Sequence, residues 1–239
     1  MSHSMEAWWK GLGPVAMCIL CFSVLLTISC TMNWTNPYTF AADWEAILLR
    51  RELWRCFTSF FFLGKLDFHF LLGALFLVEY ENRLEIDIRS ISDHLYLNCF
   101  VWLGGLCTSF CLDIPYVNHL FLVSLVSIWS RNHAGERLTI YFFTIEAQYY
   151  PFVLLLINYS LTGELVQGIT GICLGNIYYY LRNSVPAKYG MQPLKTPSWF
   201  VSIVNLLSCR SNALMNQGIK SFDAHQFGLG WGKGRRLGD

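Results

Sequence analysis

Charge is what this sequence is short of. Lys, Arg, Asp and Glu make up 14% of it, where a soluble domain carries about 25%. Residues 11–42 hold no charged side chain at all. The motifs of several chemistries are also missing. There is no G-x-S-x-G or G-x-S-G for a serine hydrolase and no H-E-x-x-H for a metallopeptidase. His3, His69, His94, His119, His133 and His225 do not cluster with acids at ligand spacing, so neither a metal nor another cofactor is expected. No basic block is interleaved with aromatics in a way that suits nucleic acid. The nine cysteines fall mostly within apolar runs and behave there as small apolar side chains. Cys18 and Cys21 form a C-x-x-C with no second pair and no nearby His, which argues against a redox or metal pair.

What is present is apolar and aromatic. Hydrophobic types reach 54%, with 18 Phe, 12 Tyr and 9 Trp, and a bilayer with its interfaces takes such a load. A span needs roughly 20 residues. Residues 14–30, opening on Pro14, make the first. The run has no clear small-x-small cleavage site, so it is expected to be a retained span with Trp8 and Trp9 at the interface. Residues 39–55 mix Phe40, Trp44, Ile47, Leu48 and Trp54 with Asp43, Glu45, Arg50, Arg51 and Glu52 and suggest an amphipathic helix in the interface. The second span is weakest: after Lys65 and Asp67 only residues 68–78 are apolar. It starts within the aromatic run before them, is short and tilted, or extends toward Leu84. A short helix there would thin the bilayer locally. Residues 94–112 make the third span. Residues 119–130 make the fourth, beginning near Ile114, and 147–163 and 165–181 make the fifth and sixth.

The expected fold is therefore all-α, a polytopic bundle of six transmembrane helices with an interfacial luminal loop. Its organisation is a cytosolic N-terminus (1–13), a membrane domain (14–182), a cytosolic linker (183–226) and a terminal motif (227–239). Lys10, Arg83, Arg89, Arg131, Arg137 and all eight bases after Leu181 fall on the side of the termini, against Arg50, Arg51, Arg55 and Lys65 opposite. The positive-inside rule then places both ends in the cytosol.

Polar groups inside spans are functional by default unless they pair with neighbouring helices. Asn98, Ser124, Ser127, Asn158 and Asn176 are such groups. Gly168, Gly171 and Gly175 repeat at helical spacing and let another helix approach, with Asn176 beside them. Trp54-Arg55 opens an aromatic run. Arg55 there is either an interface anchor or a clasp holding the loop to the core. At the C-terminal end, Phe227, Trp231 and Leu237 stand isolated among glycines, with Arg235 and Arg236 between two of them. That pattern suits a short docking motif that orders on binding.

Several of these segments resemble the Derlin family, rhomboid-like pseudoproteases of the endoplasmic reticulum. Trp54-Arg55-Cys56-Phe57-Thr58-Ser59-Phe60-Phe61-Phe62 is similar to the family's WR segment. Phe76-Leu77 with Tyr80 and Arg83-Leu84-Glu85 is similar to the end of its second span. Val126-Ser127-Ile128-Trp129-Ser130-Arg131 resembles the end of its fourth. Gly171-Ile172-Cys173-Leu174-Gly175 with Ile177-Tyr178-Tyr179-Tyr180-Leu181 resembles its sixth, although Asn176 stands where the family usually has His. Leu194-Lys195-Thr196-Pro197 resembles the segment after that sixth span. The terminal Trp231-Gly232-x-Gly234-x-Arg236-Leu237-Gly238 resembles the SHP box, by which members bind the p97/Cdc48 AAA ATPase.

The resemblance implies a non-enzymatic component of endoplasmic-reticulum-associated degradation. It would move misfolded proteins across or out of the membrane, working with an ER ubiquitin-ligase complex, with p97/Cdc48 and with copies of itself or other Derlins. Two alternatives stay open: an atypical intramembrane serine protease using Ser124 or Ser127, and a membrane adaptor for the ATPase that moves nothing. Deleting residues 227–239 is expected to abolish co-purification of the ATPase from detergent extracts while membrane insertion is unchanged. ATPase recovery equal to that of the full chain removes the docking reading.

Overall fold

The computed structural model describes residues 11–140, 143–163, 165–190 and 194–207. The chain divides into two compact units, Met1–Lys195 and Thr196–Asp239. In the first, α1 (Pro14–Thr31) is succeeded by two short helices, α2 (Trp44–Leu49) and α3 (Arg55–Phe61). Then come α4 (Phe68–Ile88), α5 (Ile91–Leu112) and α6 (Asn118–Asn132). An antiparallel hairpin, β1 (Arg137–Ile140) and β2 (Phe143–Glu146), leads to α7 (Tyr150–Thr162), α8 (Val166–Tyr179) and α9 (Val185–Tyr189). The second unit contains α10 (Ser198–Leu207).

A helix stands at each of the six places where a span was expected, with differences that have local causes. The interfacial helix expected over 39–55 is broken. Asp43 caps α2 by accepting from the Glu45 and Ala46 amides. Arg51, at φ +58°, then turns the chain before α3 begins. The second span is not a short helix: α4 runs for 21 residues, about 31 Å at 1.5 Å per residue. Its C-terminal half carries Glu79, Glu81, Arg83, Glu85 and Asp87, which ended the apolar pattern without ending the helix. Ile114 lies in the turn before α6, not at the start of a span. The apolar stretch after Arg137 is the β-hairpin. Beyond Arg182 the chain stays helical through a π-turn, Tyr180–Ser184, and on to Tyr189.

Among the described residues, two helices, α1 and α5, are both long and apolar enough to cross a membrane. The expectation of six spans is thus met by length and composition at two helices, and the others also leave apolar side chains outside. Leu71 and Leu75 on α4, Phe152 and Leu156 on α7, and Ile169 and Ile177 on α8 are exposed, like Leu25 on α1 and Leu103 and Phe110 on α5. Apolar surface on so many helices is what a bilayer accepts and water does not. α6 is the opposite case: every residue from Leu120 to Ser130 is buried. A helix apolar all round belongs inside other helices, and α6 is the axis of this bundle.

α8 lies against α6 without side chains between the backbones. A Cβ on Gly171 would come 2.7 Å from the Leu120 carbonyl oxygen, and one on Gly175 would come 2.7 Å from both the Ser124 carbonyl oxygen and Ser127 Cβ. In the space so closed, Ser124 Oγ donates to Leu120 O at 2.8 Å and across to Gly171 O at 3.0 Å.

At the other end of α4, Asn82 Oδ1 accepts from Gly13 N at 2.8 Å, and Glu85 accepts from the Ala16 and Val15 amides at 3.4 and 3.5 Å. These groups take up free N–H donors at the start of α1, and the carboxylate complements that helix end's positive dipole. One turn deeper, the buried Glu81 accepts from Asn98 Nδ2 and lies 3.3 Å from His94 Nε2, joining α4 to α5.

Gly175→Leu is expected to force α8 off α6 and to lower the thermal unfolding midpoint in detergent strongly. Gly171→Ala, adding one methyl to the same contact, is expected to cost about 1–3 kcal/mol, the usual overpacking range. A midpoint unchanged in both variants contradicts the close approach.

Candidate functional site: a polar recess and the loop that frames it

The N-terminal turns of α4, α6 and α8 and the C-terminal half of α7 bring five polar side chains to one end of the bundle. His69, Asn118, His119, Asn158 and Gln167 line a recess of about 170 Å³, with Phe62, Leu63, Gly64 and Tyr116 completing its wall. A smaller apolar extension, lined by Leu72, Gly73, Phe76, Leu122 and Leu154, runs between α4, α6 and α7. His69 Nε2 is 3.5 Å from Asn158 Oδ1, spanning the gap between α4 and α7. Both ring nitrogens of His119 are shielded and without a hydrogen-bond partner among the described residues. The recess thus offers donors and acceptors inside an otherwise apolar bundle, a place where an amide or peptide group can be received at lower desolvation cost.

The loop between α1 and α4 frames this end. Tyr116 donates its phenol to Pro37 O at 3.2 Å; burial raises its pKa above the ordinary tyrosine value, so the donor keeps its proton at neutral pH. Ala42 N donates to Pro115 O at 2.7 Å, Val117 N to Ser59 O at 3.1 Å, and Trp44 Nε1 to Ser109 Oγ at 3.2 Å. Trp102 holds α3 by donating Nε1 to Cys56 O at 3.0 Å and stacking on Phe57.

Within this loop the two residues singled out from sequence differ. Trp54 precedes α3 and is half exposed. Arg55 is a clasp: its Nε meets Glu52 Oε2 at 2.5 Å, while one terminal nitrogen donates to Tyr38 O at 2.7 Å and Ala41 O at 3.3 Å. These acceptors lie in two directions that a forked guanidinium reaches and an ammonium does not.

At the opposite end of the bundle, Asn176 Oδ1 accepts from Arg131 Nε at 2.8 Å. The segments carrying the family resemblance meet there: Arg83 lies over Trp129 at 5.0 Å and Tyr80 at 5.5 Å from the ring centroids. Arg182 pairs with Asp93 at 3.3 Å and donates to Leu194 O at 2.5 Å. Phe227, Trp231, Gly232, Gly234, Arg236, Leu237 and Gly238 lie outside the described residues.

Among the described residues the geometry does not assemble a nucleophile: Ser127 Oγ is buried with no hydrogen-bond partner there, so no base contacts it. Ser124 gives its hydroxyl hydrogen to carbonyl oxygens, and an activated serine needs a base there instead. Among the described residues no group of three or more His, Cys, Asp or Glu is placed to hold a metal. His69, His119 and Gln167 were not singled out from the sequence. The available signal was that each begins a helix whose next residues are apolar, with Asn158 the matching polar residue in the helix between.

A helical bundle with an apolar outer surface, a buried central helix and a polar recess at one end defines the class. The chain matches the Der1-like family over residues 12–198. It is 33% identical to Derlin-1.2 of Zea mays over 212 residues, covering 85% of this chain and 86% of the relative. It is 30% identical to Derlin-1 of Oryza sativa subsp. japonica over 214 residues, 85% and 86%, and 26% identical to Derlin-2.2 of Arabidopsis thaliana over 218 residues, 85% and 89%. The chain belongs to the Der1-like (Derlin) family. Its members are pseudoproteases, and this chain is not an enzyme.

Replacing Arg55 with Ala is expected to free the loop around Tyr38 and Ala41. Limited proteolysis of the detergent-solubilised protein should then cut between α1 and α3 several-fold faster, with Arg55→Lys intermediate. Equal cutting of all three forms shows that the clasp does not hold the loop.

Proposed function

We propose that this chain is a component of endoplasmic-reticulum-associated degradation. In this reading it receives misfolded polypeptide in the recess, passes it across or out of the ER membrane toward the cytosol, and engages the p97/Cdc48 ATPase through its terminal motif. Six helices of the first unit (α1 and α4–α8) are its six spans, and both termini are cytosolic. An ER ubiquitin-ligase complex marks what emerges. Family membership supports the general role. The observation that carries the mechanism is the recess beside α7.

α7 is the short, lipid-facing wall of that recess. Its 13 residues span about 20 Å, against roughly 30 Å of hydrocarbon in an ordinary bilayer. The mismatch is met by local thinning. From sequence the thinning was expected at the second span, but α4 is long enough to cross. An extended chain rises about 3.3 Å per residue, so a layer thinner by roughly 10 Å spares about three residues from the hydrocarbon at any moment. Each carries two backbone polar groups costing at least about 2 kcal/mol unpaired. The saving is on the order of 10 kcal/mol before the recess's own donors and acceptors are counted. Pulling by the ATPase supplies the rest, and Arg55 keeps the framing loop in place.

The test replaces the recess rather than the tail. His69→Leu with Asn158→Leu is expected to lengthen the half-life of a misfolded luminal substrate several-fold in cells while ATPase co-purification stays at the level of the unaltered chain. Unchanged substrate decay with intact ATPase binding favours an adaptor that moves nothing and overturns the recess mechanism.

A further inference from the structure

Beyond α8 the chain does not simply leave the bundle. It winds through the π-turn Tyr180–Ser184 into α9. Gly190, at φ +66°, closes α9 by donating its amide to Pro186 O at 3.0 Å. A left-handed residue there ends a helix and redirects its chain. Leu194 then lies in the buried cluster of the bundle, 8% exposed, one residue before the first unit ends at Lys195.

Arg182 is shared between this return and the bundle. One terminal nitrogen donates to Leu194 O at 2.5 Å, and the other lies 3.3 Å from Asp93 Oδ2 in the first turn of α5. Beside it Asn183 Nδ2 donates to Asn132 Oδ1 at 3.2 Å, at the end of α6. A single guanidinium therefore joins the place where the tail leaves to the place where α5 begins.

We infer that Arg182 is a latch that couples the seating of Leu194, and with it the position of the tail, to the entry of α5. The inference rests on these contacts and not on substrate transport.

The chemistry of the contact suits a latch better than a permanent weld. Both partners are held by one planar, rigid fork, so displacing either changes the geometry offered to the other. The Arg182 and Asp93 side chains are 30 and 32% exposed. Such a pair is weak, and opening it leaves no ion buried alone. A cavity of about 120 Å³, bordered by Asp93, Asn132, Arg182 and Asn183, gives the side chain room to swing without repacking the core. Arg182 also sits within the π-turn, a winding that is rare inside helices and recurs at functional sites. The residue after Asp93 is His94, whose Nε2 lies 3.3 Å from Glu81 Oε1 on α4, so a shift of this first turn bears on the α4–α5 contact. Tension or binding on the chain beyond Lys195 thereby enters the bundle, and a change in the bundle alters the seating of the tail, because such coupling is reciprocal.

The experiment is amide hydrogen exchange read by mass spectrometry on the full chain in phospholipid nanodiscs, each rate taken relative to the buried stretch Leu120–Ser130 of α6. Leu194→Ser removes the seated side chain without touching α5. It is expected to speed exchange at residues 94–97 several-fold. Asp93→Asn alters α5 without touching the tail, and is expected to speed exchange at residues 183–190 by a similar factor. Arg182→Lys, which reaches one partner at a time, is expected to loosen both stretches. Exchange that rises only on the substituted side, or an Arg182→Lys chain that exchanges like the unaltered one, overturns the latch.

Discussion

The contact between the α6 and α8 backbones is what the rest of this protein hangs on. Gly171 and Gly175 remove the Cβ atoms that would hold the helices apart, and the Ser124 hydroxyl crosses the closed gap to a carbonyl of α8. In a bilayer, helices gain nothing from leaving lipid for each other unless they pack closely or exchange hydrogen bonds. Here both occur at one contact. Because α6 is buried along its length, fixing α8 against it also fixes the ring of helices that surrounds α6. The starts of α4, α6 and α8 and the end of α7 then arrive together, and their polar residues make one recess.

The two ends of the bundle are built differently. At the recess end, the loop after α1 is held by backbone carbonyls and amides and by Arg55 reaching for them. These are bonds to main chain, and they specify a path more than an amino-acid identity. At the other end side chains meet one another: Arg131 with Asn176, Arg182 with Asp93, Arg83 over Trp129. Glu85 and Asn82 settle the start of α1 there. The result is one end joined through side chains and one end joined through main-chain groups.

Hydropathy alone made α1 and α5 legible, and the glycine spacing made a close helix approach on α8 legible though not its partner, because composition and helical period are local properties. The length of α4 was hidden, since Glu81 and Glu85 look like the end of an apolar run, whereas Glu81 accepts from Asn98 and Glu85 from amides of α1, partners on other helices. The recess was hidden for the same reason. His69, His119, Asn158 and Gln167 are spread over four helices and share no spacing. The π-turn at Tyr180–Ser184 has no sequence signal, and Pro186 just beyond it reads as a stop but begins the next helical turn.

Under the proposed function, a polar recess serves transport without chemistry because the two ask different things of it. Catalysis needs a nucleophile and base held within about 3 Å. Ser124, the buried hydroxyl nearest this end of α6, is instead committed to structural bonds with two carbonyls. Passage of a chain needs only that polar groups be available and that the hydrocarbon be thin. Unpaired imidazole nitrogens on His119 and a 13-residue α7 meet those looser conditions. A passage of that proposed kind tolerates many substrates, because no side chain of the substrate has to be recognised for its backbone to be solvated. Under that proposal selectivity comes from which chains arrive and which are pulled, and the bundle sets only the height of the barrier.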